Sequence, residues 1–196
     1  MRIGGGEAGG RRLRHHLKSI RPTSGRVRLA LFSMLGPDGA AGRRVLDLYA
    51  GTGAFGLEAL SRGAAWVEFV ERDERACEAI RKSLASLGFE ERAKVHRGVA
   101  EKIAGRLEGR FDLVFADPPY ADDPFAGLFE SLAVRGRLAP GATVFAEHGK
   151  RRMLPRALPG LRQVDRRVYG DTAVTVYRAE GGAEGTENAA KDGPGG

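Results

Sequence analysis

Val45-Leu46-Asp47-Leu48-Tyr49-Ala50-Gly51-Thr52-Gly53-Ala54-Phe55-Gly56 reads as a β-strand, a glycine turn and the first turn of a helix. The pattern G-x-G-x-x-G lets the backbone approach a ligand closely and aims free N–H groups of a helix N-terminus at it. Eighteen residues beyond Gly53, Glu71 ends the next apolar run, where its carboxylate could accept hydrogen bonds from both hydroxyls of a ribose. A bound adenosine moiety is implied, and Gly51, Gly53 and Glu71 are its candidate ligands. Glycines alone do not separate a nicotinamide dinucleotide from S-adenosylmethionine. Asp47 favours the second, because a carboxylate just before the turn repels a pyrophosphate and attracts an ammonium, directly or through water. The plainer alternative is that Asp47 satisfies loop amides.

Outward from this stretch, short β-rich runs alternate with helical patterns, the mark of βαβ units. Val45–Tyr49, Trp66–Val70, Phe111–Phe115 and Thr143–Ala146 are predicted strands, and Ala93–His96 is a weaker one. After Asp73, a helix cap, Ala76, Cys77, Ile80, Leu84 and Leu87 recur at helical spacing up to Gly88. Phe55–Leu60, Ala100–Leu107 and Pro124–Leu132 are the other crossover helices, and Gln163–Tyr169 with Ala173–Tyr177 form a hairpin around Gly170-Asp171-Thr172. The expected fold is α/β and Rossmann-like: a mostly parallel seven-stranded sheet, helices on both faces, and an antiparallel C-terminal hairpin. Before it, Thr23 or Ser24 caps a helix whose apolar face is Val27, Leu29, Ala30, Phe32 and Leu35. The glycine-rich 4–14 stretch is expected to be short strands or a loop pinned by Ile3 and Leu13, with its basic side chains exposed.

Asp117-Pro118-Pro119-Tyr120 falls at the end of the fourth strand of the parallel set, on the same edge as the glycine turn and Glu71. Proline carries no N–H, so this rigid turn offers a carboxylate, carbonyls and an aromatic ring. Such a group suits a planar amine that donates to Asp117 and the Pro118 carbonyl while its ring stacks on Tyr120. An ordinary turn is the competing reading, and the shared edge argues against it.

Composition bounds the rest. A chain of 196 residues with 42% hydrophobic content supports one core. The single cysteine, Cys77, cannot form an internal disulfide, and its place on a helix face makes it a core residue rather than a nucleophile. Neither a secretory leader nor a run of about 18 apolar residues is present, so a soluble cytoplasmic protein is expected, with no metal site. Residues 1–28 hold eight basic side chains against Glu7 alone, a net +7, whereas the stretch from Ala179 onward has net −3. The division expected is a basic extension over 1–22 that fits a polyanion, most often nucleic acid, a Rossmann-like domain over 23–178, and a disordered acidic, glycine-rich tail over 179–196. Arg11, Arg12, Arg14, Arg21 and Arg26 are the candidate phosphate contacts, with Lys150, Arg151 and Arg152 as a second patch. His15 and His16 either join them or stand exposed.

These stretches resemble, taken together, the class I S-adenosylmethionine-dependent methyltransferases and more closely the bacterial 16S rRNA guanine-N2 methyltransferase family. The resemblance runs to about Arg178. It is carried by Met1-Arg2-Ile3 with Gly10-Arg11-Arg12-Leu13, by Arg21-Pro22-Thr23 with Arg26-Val27-Arg28 and Leu31-Phe32, and by the block from Asp47 to Gly63. Glu71, Asp117 to Tyr120 and Tyr169-Gly170-Asp171-Thr172 complete it. Gly4 departs from the apolar residue expected after Ile3. The resemblance implies that Asp47, Tyr49, Gly51, Gly53 and Glu71 bind S-adenosylmethionine, with Ala100 near the adenine. Asp117 with the Pro118 carbonyl would then receive the guanine amine, Tyr120 would stack on the base, and 16S rRNA or an assembling small subunit would be the partner. An N6-adenine DNA methyltransferase or a protein-glutamine methyltransferase presents a similar amine to a similar turn. The compact basic arm and the lack of an added recognition domain argue against both. A non-catalytic RNA-binding assembly protein on this fold is opposed by the intact Asp47, Glu71 and Asp117.

Overall fold

The computed structural model describes residues 1–13, 25–119 and 125–180. The helix caps Thr23 and Ser24, Arg14, His15, His16, Arg21, Tyr120, Pro124 and the 181–196 tail lie outside the described residues. Eight strands form one sheet. In chain order they are β1 (Arg44–Leu48), β2 (Trp66–Glu71), β3 (Ala93–Arg97), β4 (Phe111–Ala116), β5 (Leu138–Gly149), β6 (Ala157–Leu158), β7 (Leu161–Tyr169) and β8 (Thr172–Ala179). Their order across the sheet is β3-β2-β1-β4-β5-β8-β7-β6, with the first five parallel and the last three antiparallel. From β1 the chain goes outward to β2 and β3, then returns to pair β4 on the other side. The order therefore reverses between β1 and β4, where open α/β sheets leave a crevice at the strands' C-terminal ends.

The central strands are largely apolar because helices cover both faces. α1 (Gly25–Leu35), α2 (Ala54–Ser61) and α3 (Glu74–Leu87) pack on one face. There Phe55 stacks on Phe32 and Phe115 at 4.9 and 4.5 Å and meets Phe145 edge-on. α4 (Ala100–Ala104) and α5 (Phe125–Val134) cover the other face, around Val114, Val144, Phe129 and Tyr177. α3 begins where Asp73 accepts the Ala76 N–H at 2.8 Å and ends at Gly88 with φ 74°.

Several expectations shift. Leu29, expected on the apolar face of α1, is exposed, and Arg28 and Leu31 are buried there with Val27 and Phe32. An eighth strand, β6, is only two residues long and carries no alternation to read. β1 stops at Leu48, since Tyr49 turns to φ 56°. α4 ends at Ala104, well before Leu107, and passes into Gly105. β5 starts at Leu138 rather than Thr143, across a register shift opposite Phe111 to Leu113 in the stretch containing Pro140 and Gly141.

Candidate active site

The glycine turn is fastened from two sides. The Gly51 N–H donates to Glu71 Oε2 at 2.7 Å, and the Asp73 N–H donates to Glu71 Oε1 at 2.8 Å, so the end of β2 clamps the loop after β1. A carboxylate has about four acceptor positions, which leaves lone pairs on Glu71 for hydroxyl donors. Gly53 is the N-cap of α2 and has no side chain with which to cap it. Asp47 takes over that task, its Oδ2 accepting the Gly56 N–H at 2.9 Å. Gly56 is fixed by packing: a Cβ there would stand 2.3 Å from Phe69 Cε1. Tyr49 holds a left-handed φ that only about a few per cent of non-glycine residues adopt, and such strain collects at ligand sites. Its hydroxyl donates to Glu101 Oε1 at 2.8 Å, tying the turn to α4, whose first residue, Ala100, is buried.

Asp47 is 1% exposed. Burial pushes its carboxyl well above the usual range, the Gly56 N–H pulls it partly back, and the charges of Asp117 and Glu71 push it up again. Three carboxylates thus act in one field at the edge between β2, β1 and β4. Such a field disfavours a pyrophosphate and favours a cation, so the donor set fits a sulfonium or ammonium ligand.

At the end of β4, Asp117 is half-buried, Pro118 buried and Pro119 exposed. Beside this turn is a cavity of about 460 Å³, walled by Pro118, Pro119 and Phe125 and continued by Glu147 to Arg152 and Asp171. No turn or cap signal marks Glu147 and His148, which sit in a largely apolar strand and are 4% and 2% exposed. His148 Nδ1 is 3.0 Å from the Gly149 carbonyl and must donate to it. Its Nε2, 2.8 Å from Thr175 Oγ1, accepts the Thr175 hydroxyl when the ring is neutral. Burial lowers the His148 pKa and keeps it so. Lys150 pairs with Asp171 at 2.6 Å on the cavity rim, and Arg152 lies over the Phe125 ring at 5.9 Å.

The first thirteen residues are packed onto the core. Ile3 and Leu13 are buried, and an isolated bridge joins Arg2 to Arg12. Glu58 of α2, 0% exposed, accepts the Gly4 N–H at 2.7 Å and pairs with Arg62 at 2.8 Å and Arg28 at 3.5 Å. Arg28, which the charge count places in the basic arm, therefore points inward and also donates to the Arg2 carbonyl. Arg11, Arg12 and Arg26 are exposed, and Arg11 reaches the Ser86 carbonyl at 2.6 Å. Cys77 is buried in α3, and burial first, then Glu71, raises its thiol pKa, as suits a core residue. Among the described residues no group of His, Cys, Asp and Glu could hold a metal, and no helix is long and apolar enough to cross a membrane.

A parallel sheet whose order reverses beside a glycine turn, continued by an antiparallel hairpin, defines a class I methyltransferase. The chain belongs to the family described as Conserved hypothetical protein 95, whose model matches residues 1–178. It is 35% identical to "Putative rRNA methyltransferase YlbH" of Bacillus subtilis, over 92% of this chain and 100% of that one. It is 32% identical to "Ribosomal RNA small subunit methyltransferase D" of Escherichia coli, over 94% and 92% of the two chains. Among solved structures, "Putative methyltransferase yhhF from Escherichia coli" superposes with a TM-score of 0.82 at 32% identity, covering 92% of this chain and 98% of that one.

Proposed function

We propose that this chain transfers a methyl group from S-adenosylmethionine to the exocyclic N2 amine of a guanine in small-subunit rRNA. The observation that carries the reading is the rigid Asp117-Pro118 acceptor turn, whose Pro118 and Pro119 wall a cavity of about 460 Å³ and whose Asp117 acts on the buried Asp47 beside the glycine turn. The names of the Bacillus and Escherichia relatives supply the RNA.

S-adenosylmethionine, when bound, supplies an electrophilic methyl group on a sulfonium. Asp47, Tyr49, Gly51, Gly53 and Glu71 would hold it along the edge, with Ala100 at the adenine end. The chain's own work is on the amine. A guanine N2 lone pair is delocalised into the ring, so it is a poor nucleophile until it is localised and aimed. Asp117 and the Pro118 carbonyl each accept one N–H, which directs the remaining lone pair out of the acceptor plane. The Asp117 charge also stabilises the positive charge that develops on nitrogen and can receive its proton. Tyr120 would stack on the base, which must leave its helix to reach this edge.

In this reading residues 1–22 contact RNA, 23–178 catalyse and 179–196 form a tail. Arg11, Arg12, Arg14, Arg21 and Arg26 meet phosphates, helped by Lys150 to Arg152, and the enzyme works in the cytoplasm with its substrate.

The test uses small subunits from cells lacking the protein. Incubated with purified enzyme and labelled S-adenosylmethionine, their rRNA should gain N2-methylguanine at one position by mass mapping, while DNA and release factor stay unlabelled. Asp117→Ala should lower kcat by about 100-fold or more, the usual scale for losing one transition-state acceptor. Label on adenine, or a parental rate in the variant, would overturn the reading.

A further inference from the structure

The cavity beside Pro118 contains a carboxylate that the methyl-transfer chemistry above does not use. Glu147 lines it and is 4% exposed. Strands β4 and β5 run parallel with Ala116 opposite Ala146, and the residues that follow are Asp117, just past the end of β4, and Glu147 within β5. Neighbouring strands stand about 4.8 Å apart, so the two acidic positions lie side by side along one edge. They also share a sheet face, because Phe115 and Phe145, two residues earlier on each strand, belong to the same core cluster.

Three nucleobases carry an exocyclic amine, and they differ in the ring atom beside it. Adenine has N1 there and cytosine N3, both bare acceptors, whereas the guanine amine, with N3 on one side, has N1–H, a donor, on the other. A carboxylate accepts only and cannot donate. When the amine is received at Asp117 and the Pro118 carbonyl, a second carboxylate beside that point attracts guanine and repels the lone pairs of the other two. Pro118 and Phe125 supply flat apolar walls for the ring faces.

We infer that Glu147 is the residue that selects guanine, accepting its N1–H while the neighbouring amine is held at Asp117. This rests on the reading of the site as a guanine-N2 methyltransferase. It adds the specificity element, and it explains how a turn shared with adenine methyltransferases serves a different base.

The test compares guanine with 2-aminopurine, placed by ligation at the mapped position of the rRNA. 2-Aminopurine keeps the methyl-accepting amine but has a bare N1. Wild-type enzyme should prefer guanine in kcat/KM by at least about tenfold, the scale of one lost charged hydrogen bond. In Glu147→Gln the amide can turn its NH2 toward a bare N1, so the guanine to 2-aminopurine ratio should fall by about tenfold or more. Glu147→Asp keeps the charge and should retain the preference. Affinity for S-adenosylmethionine by calorimetry should stay within about twofold in both variants, because the cofactor edge uses other residues. Equal wild-type rates on the two bases overturn the inference without recourse to a variant. A Glu147→Gln enzyme that loses activity on both bases equally shows a structural role only and overturns it as well. N2-methylguanine formed with an unchanged ratio sinks this inference alone, whereas no N2-methylguanine from wild-type enzyme removes the underlying reading and the inference together.

Discussion

Asp47 shows a single side chain serving fold and site at opposed cost. It caps α2 in place of the side chain Gly53 lacks, yet it is a carboxylate buried beside two others. Its folded pKa lies above the unfolded value of about 3.9. The stability it contributes is therefore fully present below about pH 4 and is lost as pH rises through the folded pKa. Asp47→Asn keeps an acceptor for Gly56 and removes the charge. The variant should therefore melt at a higher temperature than wild type at pH 7. That gain should disappear toward pH 4, and S-adenosylmethionine affinity should fall in the same variant. Scanning calorimetry across pH checks the first, and a gain independent of pH would contradict the assignment. Asp47, Glu71 and Asp117 were legible in the sequence because each stands at a strand end next to a turn with its own signature. Glu147 was not, since it follows Val144-Phe145-Ala146 with no turn to mark it, and only the pairing of β4 with β5 brings it beside Asp117.

Helix α2 is the element on which the most depends. It is buried along its whole length, and its one charged residue, Glu58, holds the N-terminal ribbon through Gly4 and the core through Arg28 and Arg62. Removing one partner of a buried pair strands the other, at a cost of about 3–5 kcal/mol. Glu58→Ala should thus lower the melting temperature by about 6 °C or more and open residues 1–13 to proteolysis while α3 stays protected. Cleavage at the wild-type rate would show that Glu58 does not fasten the ribbon. The ribbon's loop also needs Gly6, at φ 76°, where a Cβ would stand 1.7 Å from the Ser61 carbonyl oxygen. Helices and strands were read well wherever period and caps agreed, as in α3. The sequence pattern gives Ile3 and Leu13 as anchors but not their seat. Between them, Gly4 and Ala8 hydrogen-bond to α2 more than fifty residues away, beyond the reach of any local pattern.

Across the whole molecule, charge and packing part company at the N-terminus. Residues 1–28 carry a net +7, but Arg28 is buried, leaving Arg2, Arg11, Arg12 and Arg26 on the surface among the described residues. A truncation there would damage the core through Ile3 and Leu13, so side-chain replacement is the cleaner probe of RNA contact. Arg12→Ala with Arg26→Ala should weaken binding to rRNA and reduce the slope of log affinity against log salt by about one per arginine. Filter binding over a salt series measures this, and an unchanged slope would move the phosphate contacts elsewhere. The attachment of the ribbon to α2 also orders folding in time. Synthesis delivers the ribbon before α2, to which it is bonded across more than fifty residues, so the ribbon lacks that partner while it emerges. β1 waits longer still for β4, on its other flank. A nascent chain of this protein cannot settle piece by piece from its beginning, and its folding is delayed until the centre of the sheet has been translated.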